Sequence, residues 1–188
     1  MRYFIIFISL ILFTASCDRN KKFIPKPPTY LKISFPERNT LSFTDVDCGF
    51  RFDKPAYFNV KKVDKNSCNR DIEFETLNGT LHLSYIKMDT TLEAYINYAN
   101  DKVDEHKVKA QKIVDTNFLM SENNAFGTFF ELHGNVATPF QFYLTDSVNY
   151  FSSGVVYFNA RPNYDSIKPV LNFVKQDLHT LIKTFQWD

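Results

Sequence analysis

Cys17 is the first residue whose neighbours suggest a reaction. It follows Thr14, Ala15 and Ser16, which are small enough for a peptidase to admit as extended chain. Upstream of them, Tyr3 to Phe13 forms an almost unbroken apolar run of about eleven residues behind Arg2. A membrane span needs about twenty apolar residues, so this run has instead the length of a signal-peptide core. Small residues ending in cysteine match a bacterial lipobox, in which the thiol takes up fatty acyl chains such as palmitate before the upstream peptide is cut. Thr14 stands where leucine is usual in that pattern. The alternatives are a plain secretory signal with a chance cysteine, or an N-terminal helix.

Cys48 and Cys68 are the other two cysteines. Outside the cytoplasm an even pair points to a disulfide, with two reduced core thiols as the alternative. No histidine or acidic partner sits at ligand spacing from them, so a metal site is not expected. The four histidines, His82, His106, His133 and His179, are far apart in sequence. None belongs to a zinc-protease, redox-cysteine, nucleophile-elbow or phosphate-loop motif. His82 alternates with Leu81 and Leu83 and should face away from the side they bury, while His106 and His179 fall on helical stretches near polar neighbours. The acidic pairs Asp45 with Asp47 and Asp104 with Glu105 matter to catalysis only if folding gathers them in one cleft. Ser152-Ser153-Gly154 has no neighbouring base. No catalytic residue, metal, other cofactor or small-molecule substrate is therefore expected. One span has the composition of a contact surface: Asn159 to Ser166 places Arg161, Pro162 and Tyr164 close together, and arginine and tyrosine are favoured at interface hot spots. Its plain alternative is a strand-to-helix connection with a cap.

The elements that must position these residues follow from periodicity. Residues 1–16 are expected to be a signal peptide. Residues 17–30, with three prolines and several basic side chains, read as a lipidated cysteine and a tether. At about 3.1 Å per residue such a chain holds a domain roughly 35 Å from lipid. Residues 31–188 read as a single globular domain. LKISF and FRFDKPAYFNVKKV are strand-like, with a bend or edge at Pro55. Ile72, Phe74 and Thr76 alternate before Asn78-Gly79, and Leu81, Leu83 and Tyr85 alternate after it, which predicts a hairpin. Thr90 with Glu93 has capping-box spacing, and Leu92, Ile96, Ala99 and Val103 make a helical stripe, so a helix is expected over 91–106. Four strands with short turns between Lys109 and Phe158 predict an antiparallel meander. Ile167, Val170, Leu171, Val174, Leu178, Leu181, Ile182 and Phe185 trace one face of a long last helix, with Ser166 as its N-cap and Pro169 in its first turn. Trp187 should dock the C-terminus. The fold class is α+β: a mostly antiparallel sheet, one helix in mid-chain and one packed on it at the end.

The net charge of +1 removes the basic excess a nucleic-acid binder needs. Aromatic residues make up 16% of the chain, which is ample for one well-filled core or for the walls of a ligand hollow.

The stretches IPKPPTYLKISFP, TLHLSYI and above all QFYLTDSVNYFSSGVVYFNARPNYDSIKPVLNFVKQDLHTLIKTFQW resemble the gliding-motility lipoprotein GldD family of Bacteroidota. The resemblance covers nearly all of the chain after the signal. It implies an envelope lipoprotein needed for gliding and accessory to the type IX secretion machinery, with other gliding and secretion proteins as partners. It implies lipid anchoring in the cell envelope, with the periplasmic face of the outer membrane favoured over the inner membrane, and it carries over no catalytic residue. The order strand, hairpin, helix, meander, helix is also similar to the Mog1/PsbP-like fold. Two other readings stand beside this one. A periplasmic hydrolase acting on wall or glycan needs His82 or His133 beside two carboxylates in a cleft, and a ligand-binding module needs a hollow lined by phenylalanine and tyrosine.

Overall fold

The computed structural model describes residues 33–160 and 162–187. The signal segment, Cys17, the tether and Arg161 lie outside the described residues. Leu31–Asp188 is one compact unit. Its described strands form two antiparallel sheets. β1 (Thr40–Asp45), β2 (Phe50–Pro55) and β10 (Gln186–Trp187) make the smaller, in the order β1-β2-β10. The larger has seven strands: β3 (Asn59–Lys62), β4 (Arg70–Phe74), β5 (Gly79–Lys87), β6 (Ala110–Met120), β7 (Ala125–Gly134), β8 (Phe140–Thr145) and β9 (Tyr150–Phe158), in the order β3-β4-β5-β9-β8-β7-β6.

The topology has a simple logic. After β5 the chain runs through helix α1 (Leu92–Asp104) to the far edge, where β6 begins. The expected meander then walks back strand by strand until β9 pairs with β5. Opposed residues of an antiparallel pair share a face, so the register sorts the sheet into two sides. Leu81, Leu83, Val156, Phe140, Phe142, Leu144 and Phe129 face helix α2 (Tyr164–Thr184) in the main core. Phe130, Leu132 and Val103 belong to a second cluster on the opposite side, under α1. The stripe read from the sequence is what α2 buries: Leu171, Val174, Leu178, Leu181 and Ile182 are all buried. Each such side chain contributes about 1.5–3 kcal/mol by leaving water.

Pro55 ends β2, and after three intervening residues the chain enters β3 in the other sheet. The expected bend is therefore a change of sheet. Trp187 pairs with Phe50 through β10 and rests edge-on against Phe185, docking the C-terminus as expected.

Local details differ from the sequence reading. Ile33–Phe35 of LKISF forms no strand. Pro36 removes a donor directly after it, and Phe35 instead stacks on Phe173 of α2 with ring centroids 4.4 Å apart. The β4–β5 hairpin forms, but Thr76 leaves the strand: Glu75–Leu77 is a 3-10 turn closed by left-handed Asn78 at φ 53°. The β6–β7 hairpin repeats this device, with Ser121–Asn123 closed by Asn124 at φ 47°. The α1 cap is Thr91 rather than Thr90, its side chain accepting the Ala94 N–H at 3.3 Å. Asn163, not Ser166, caps α2 and accepts the Ser166 N–H at 3.4 Å. Starting at Tyr164 puts Pro169 in the second turn, where packing of the buried stripe outweighs one missing N–H.

Candidate functional site

Most of the residues singled out for chemistry are occupied within the fold. Cys48 and Cys68 are joined by a disulfide with Cα atoms 5.7 Å apart. Beside it lies Arg70, 1% exposed, whose guanidinium donates to the Asp45 carboxylate through Nε at 2.8 Å and also through Nη2. Its Nη1 donates to the carbonyls of Ser67 and Asn69, both at 2.8 Å, and Asp45 in turn accepts the Cys48 N–H at 3.3 Å. Composition gave no sign of this: Arg70 opens a strand in a sequence where isolated charges are ordinary. Its one cue is alternation with Ile72 and Phe74, which places it on the inward face.

A second buried group also escaped the sequence reading. Asp177 sits on the buried face of α2, 3% exposed, accepting from Arg38 Nε at 2.9 Å and from the Tyr57 hydroxyl. Arg38 also donates to the Phe173 carbonyl and lies 4.0 Å over the Phe173 ring. Burial raises the Asp177 carboxyl above its ordinary pKa, against the opposing pull of Tyr57 and Arg38. Burial, followed by the Asp177 carboxylate, holds the Tyr57 phenol well above its own.

The histidines separate. His82 faces outward as expected and meets Asp71 at 2.6 Å on the surface. His106 lies in the turn after α1 rather than on the helix. His179 is packed edge-on to Phe129 and Phe118, not among polar groups, and its Nε2 is buried with no hydrogen-bond partner among the described residues. His133 joins a chain of polar contacts: Lys175 pairs with Glu131, Glu131 lies 3.4 Å from His133 Nε2, and His133 Nδ1 meets the Tyr164 hydroxyl at 2.6 Å. That is one carboxylate beside a histidine, not two. Among the described residues, no group of His, Cys, Asp or Glu is placed to hold a metal ion.

The span from Asn159 to Ser166 is only partly a loop. Pro162 is exposed, but Tyr164 begins α2. The Tyr164 N–H donates to Asn135 and its hydroxyl meets His133. Tyr164 thus ties the helix start to β7.

The hollow that the ligand-binding reading requires is present. α1 stands off the outer face of the large sheet and leaves a cleft of about 460 Å³ over β5, β9 and β8. Tyr98, Ala99, Lys102 and Val103 recur at helical spacing and line the roof. Phe151, Val155 and Tyr157 of β9 contribute apolar floor, and Ser84 and Ser153, opposed in register, lie between them. Ile86, Tyr98 and Tyr157, three exposed large apolar side chains, all border it.

Comparison with known proteins gives three findings. A family model described as "Gliding motility lipoprotein GldD" matches residues 20–187. A search of the curated proteins finds no match. Among solved structures, the solution structure of cyanobacterial PsbP (CyanoP) from Synechocystis sp. PCC 6803 superposes with a TM-score of 0.50 at 12% identity, covering 81% of this chain and 95% of that one. At that identity the likeness concerns the fold alone, an α+β arrangement of the PsbP type.

Proposed function

The chain belongs to the gliding motility lipoprotein GldD family, and from that premise we propose that it is a non-catalytic, lipid-anchored accessory of the gliding and type IX secretion machinery. The observation that carries this reading is the family match over residues 20–187. Cys17, following the short apolar run and three small residues, is the acylation site that supplies the anchor. One acyl chain alone binds a membrane marginally, whereas two or more hold it firmly, so acylated Cys17 keeps the domain on an envelope leaflet, with the periplasmic face of the outer membrane favoured. The non-catalytic part draws support from how the reactive groups are used. Arg70 with Asp45, Asp177 with Arg38 and Tyr57, and His133 with Tyr164 each fasten one element to another.

Three experiments test this. Cys17→Ala should release the protein from membranes and abolish spreading on agar; normal spreading by a soluble form would overturn the anchoring role. Crosslinking in cells followed by mass spectrometry should recover gliding or secretion components. The enzyme reading is opposed through His133. His133→Gln in a stably folded chain should leave spreading intact, and loss of motility with an unchanged melt would favour catalysis at the His133–Tyr164 pair.

A further inference from the structure

We propose that the cleft between α1 and the outer face of the large sheet is a binding site for a neutral sugar ring. This goes beyond the anchoring and accessory role, because it assigns a small-molecule ligand to a defined place on the domain. The volume of about 460 Å³ falls within the range of ligand pockets and accommodates one or two pyranose rings.

The lining selects the chemistry. Lys102 and Glu105, the Lys and Glu side chains in a lining that also includes His106, are paired with each other at 2.7 Å, so neither stands as an unmatched charge toward an anion. The floor is not purely apolar. Ser84 and Ser153 face each other across β5 and β9, and their hydroxyls have no hydrogen-bond partner among the described residues. The Gln141 amide donates to Thr138 at 3.0 Å, which leaves its carbonyl oxygen without a partner among the described residues. An acyl chain lying here would strip water from these groups and return nothing. A sugar ring suits both halves of the lining, because its hydroxyls satisfy Ser84, Ser153 and Gln141 while its C–H faces pack on Tyr98 and Tyr157. Those two rings, one from the helix and one from the sheet, are 62% and 43% exposed. Large exposed aromatic side chains gathered at one hollow mark a binding surface.

The test uses the mature lipidated protein in lipid nanodiscs, free of sugar-based detergent. Saturation-transfer NMR is recorded with glucose, mannose, galactose and the N-acetylglucosamine disaccharide, and with octanoate as an apolar-chain probe. At least one sugar should bind with a dissociation constant of about a millimolar. The disaccharide arm separates an N-acetylated amino-sugar ligand from a plain hexose. Tyr157→Ala should weaken binding about tenfold or more, and the double substitution Ser84→Ala with Ser153→Ala should do the same. Because Tyr157 is on the surface, its loss spares the core. Leu119→Ser, at a distant exposed position on β6, should leave binding unchanged. No transfer to any sugar would overturn the proposal. So would transfer to octanoate alone that disappears in Tyr157→Ala.

Discussion

Arg70 and His179 carry two different risks of burial. Arg70 is a charge taken fully out of water and returned four acceptors, two of them backbone carbonyls and one the Asp45 carboxylate, with Cys48 Sγ at 3.5 Å as a weak fourth. Removing one partner of such a pair leaves the other charged and unmatched, which costs about 3–5 kcal/mol. Arg70→Ala should therefore lower the free energy of urea unfolding by that amount, and a loss below about 1 kcal/mol would show the pair to be weakly coupled. His179 is the opposite case, a titratable ring placed among phenylalanines. Burial, and then Lys175 and Lys183, depress its pKa from 6.5, with Glu131 opposing weakly. An unfolded chain then binds more protons than the folded one between the folded value and 6.5, so stability falls as pH drops through that window. The melting temperature should decline as pH falls through 6.5 toward the lower folded value, and His179→Phe should flatten the decline. An equal slope in the variant would place the titration elsewhere.

Strands and helices here are set by their ends as much as by their interiors. The β4–β5 and β6–β7 hairpins each close with a 3-10 turn and a left-handed asparagine, a conformation asparagine tolerates better than most side chains. The residue after the asparagine differs between them. A Cβ on Gly79 would lie 2.1 Å from Cε2 of the buried Phe74 ring, whereas Ala125 occupies the matching position in the second hairpin. Gly79→Ala should thus cost about 1–3 kcal/mol through overpacking, while Ala125→Gly should cost about 1 kcal/mol or less. Comparable losses at the two positions would indicate that turn conformation, not the Phe74 contact, makes Gly79 necessary. The stripe of α2 was legible because a long series of apolar residues at helical spacing leaves little freedom. Its cap was not, because Asn163 and Ser166 both suit the role, and the choice fell to Tyr164, whose link to His133 pulls the helix start forward.

At the scale of the molecule, the disulfide joins the loop after β1 to the segment that leads into β4 of the large sheet. Its cysteines are 20 residues apart in sequence, and closing a loop of that size is worth about 3 kcal/mol in chain entropy. Cys48→Ser should lower the melting temperature in oxidising buffer, and an unchanged melt would mean the bond adds nothing to the folded state. The arrangement also places two kinds of surface on opposite sides of one sheet. α2 and the smaller sheet seal the inner face into a core. α1, with only Val103 buried, covers the outer face incompletely and leaves the aromatic-rimmed cleft.

What the sequence determined by itself was whatever depends on neighbours in the chain. The two-residue and helical periodicities fixed the element types and the α+β class. The apolar run before Cys17 marked the candidate anchor, the even cysteine pair suggested a bond, and local similarity pointed to the family. Only the tertiary structure decided what depends on neighbours in space. It buried Arg70 and Asp177 beside partners 25 and 139 residues away in sequence, Asp45 and Arg38. It committed Tyr164 to His133, and it gathered Tyr98, Ser84, Ser153 and Tyr157 around one hollow. Periodicity reports which face a side chain takes, whereas sheet order and helix placement decide what it meets there.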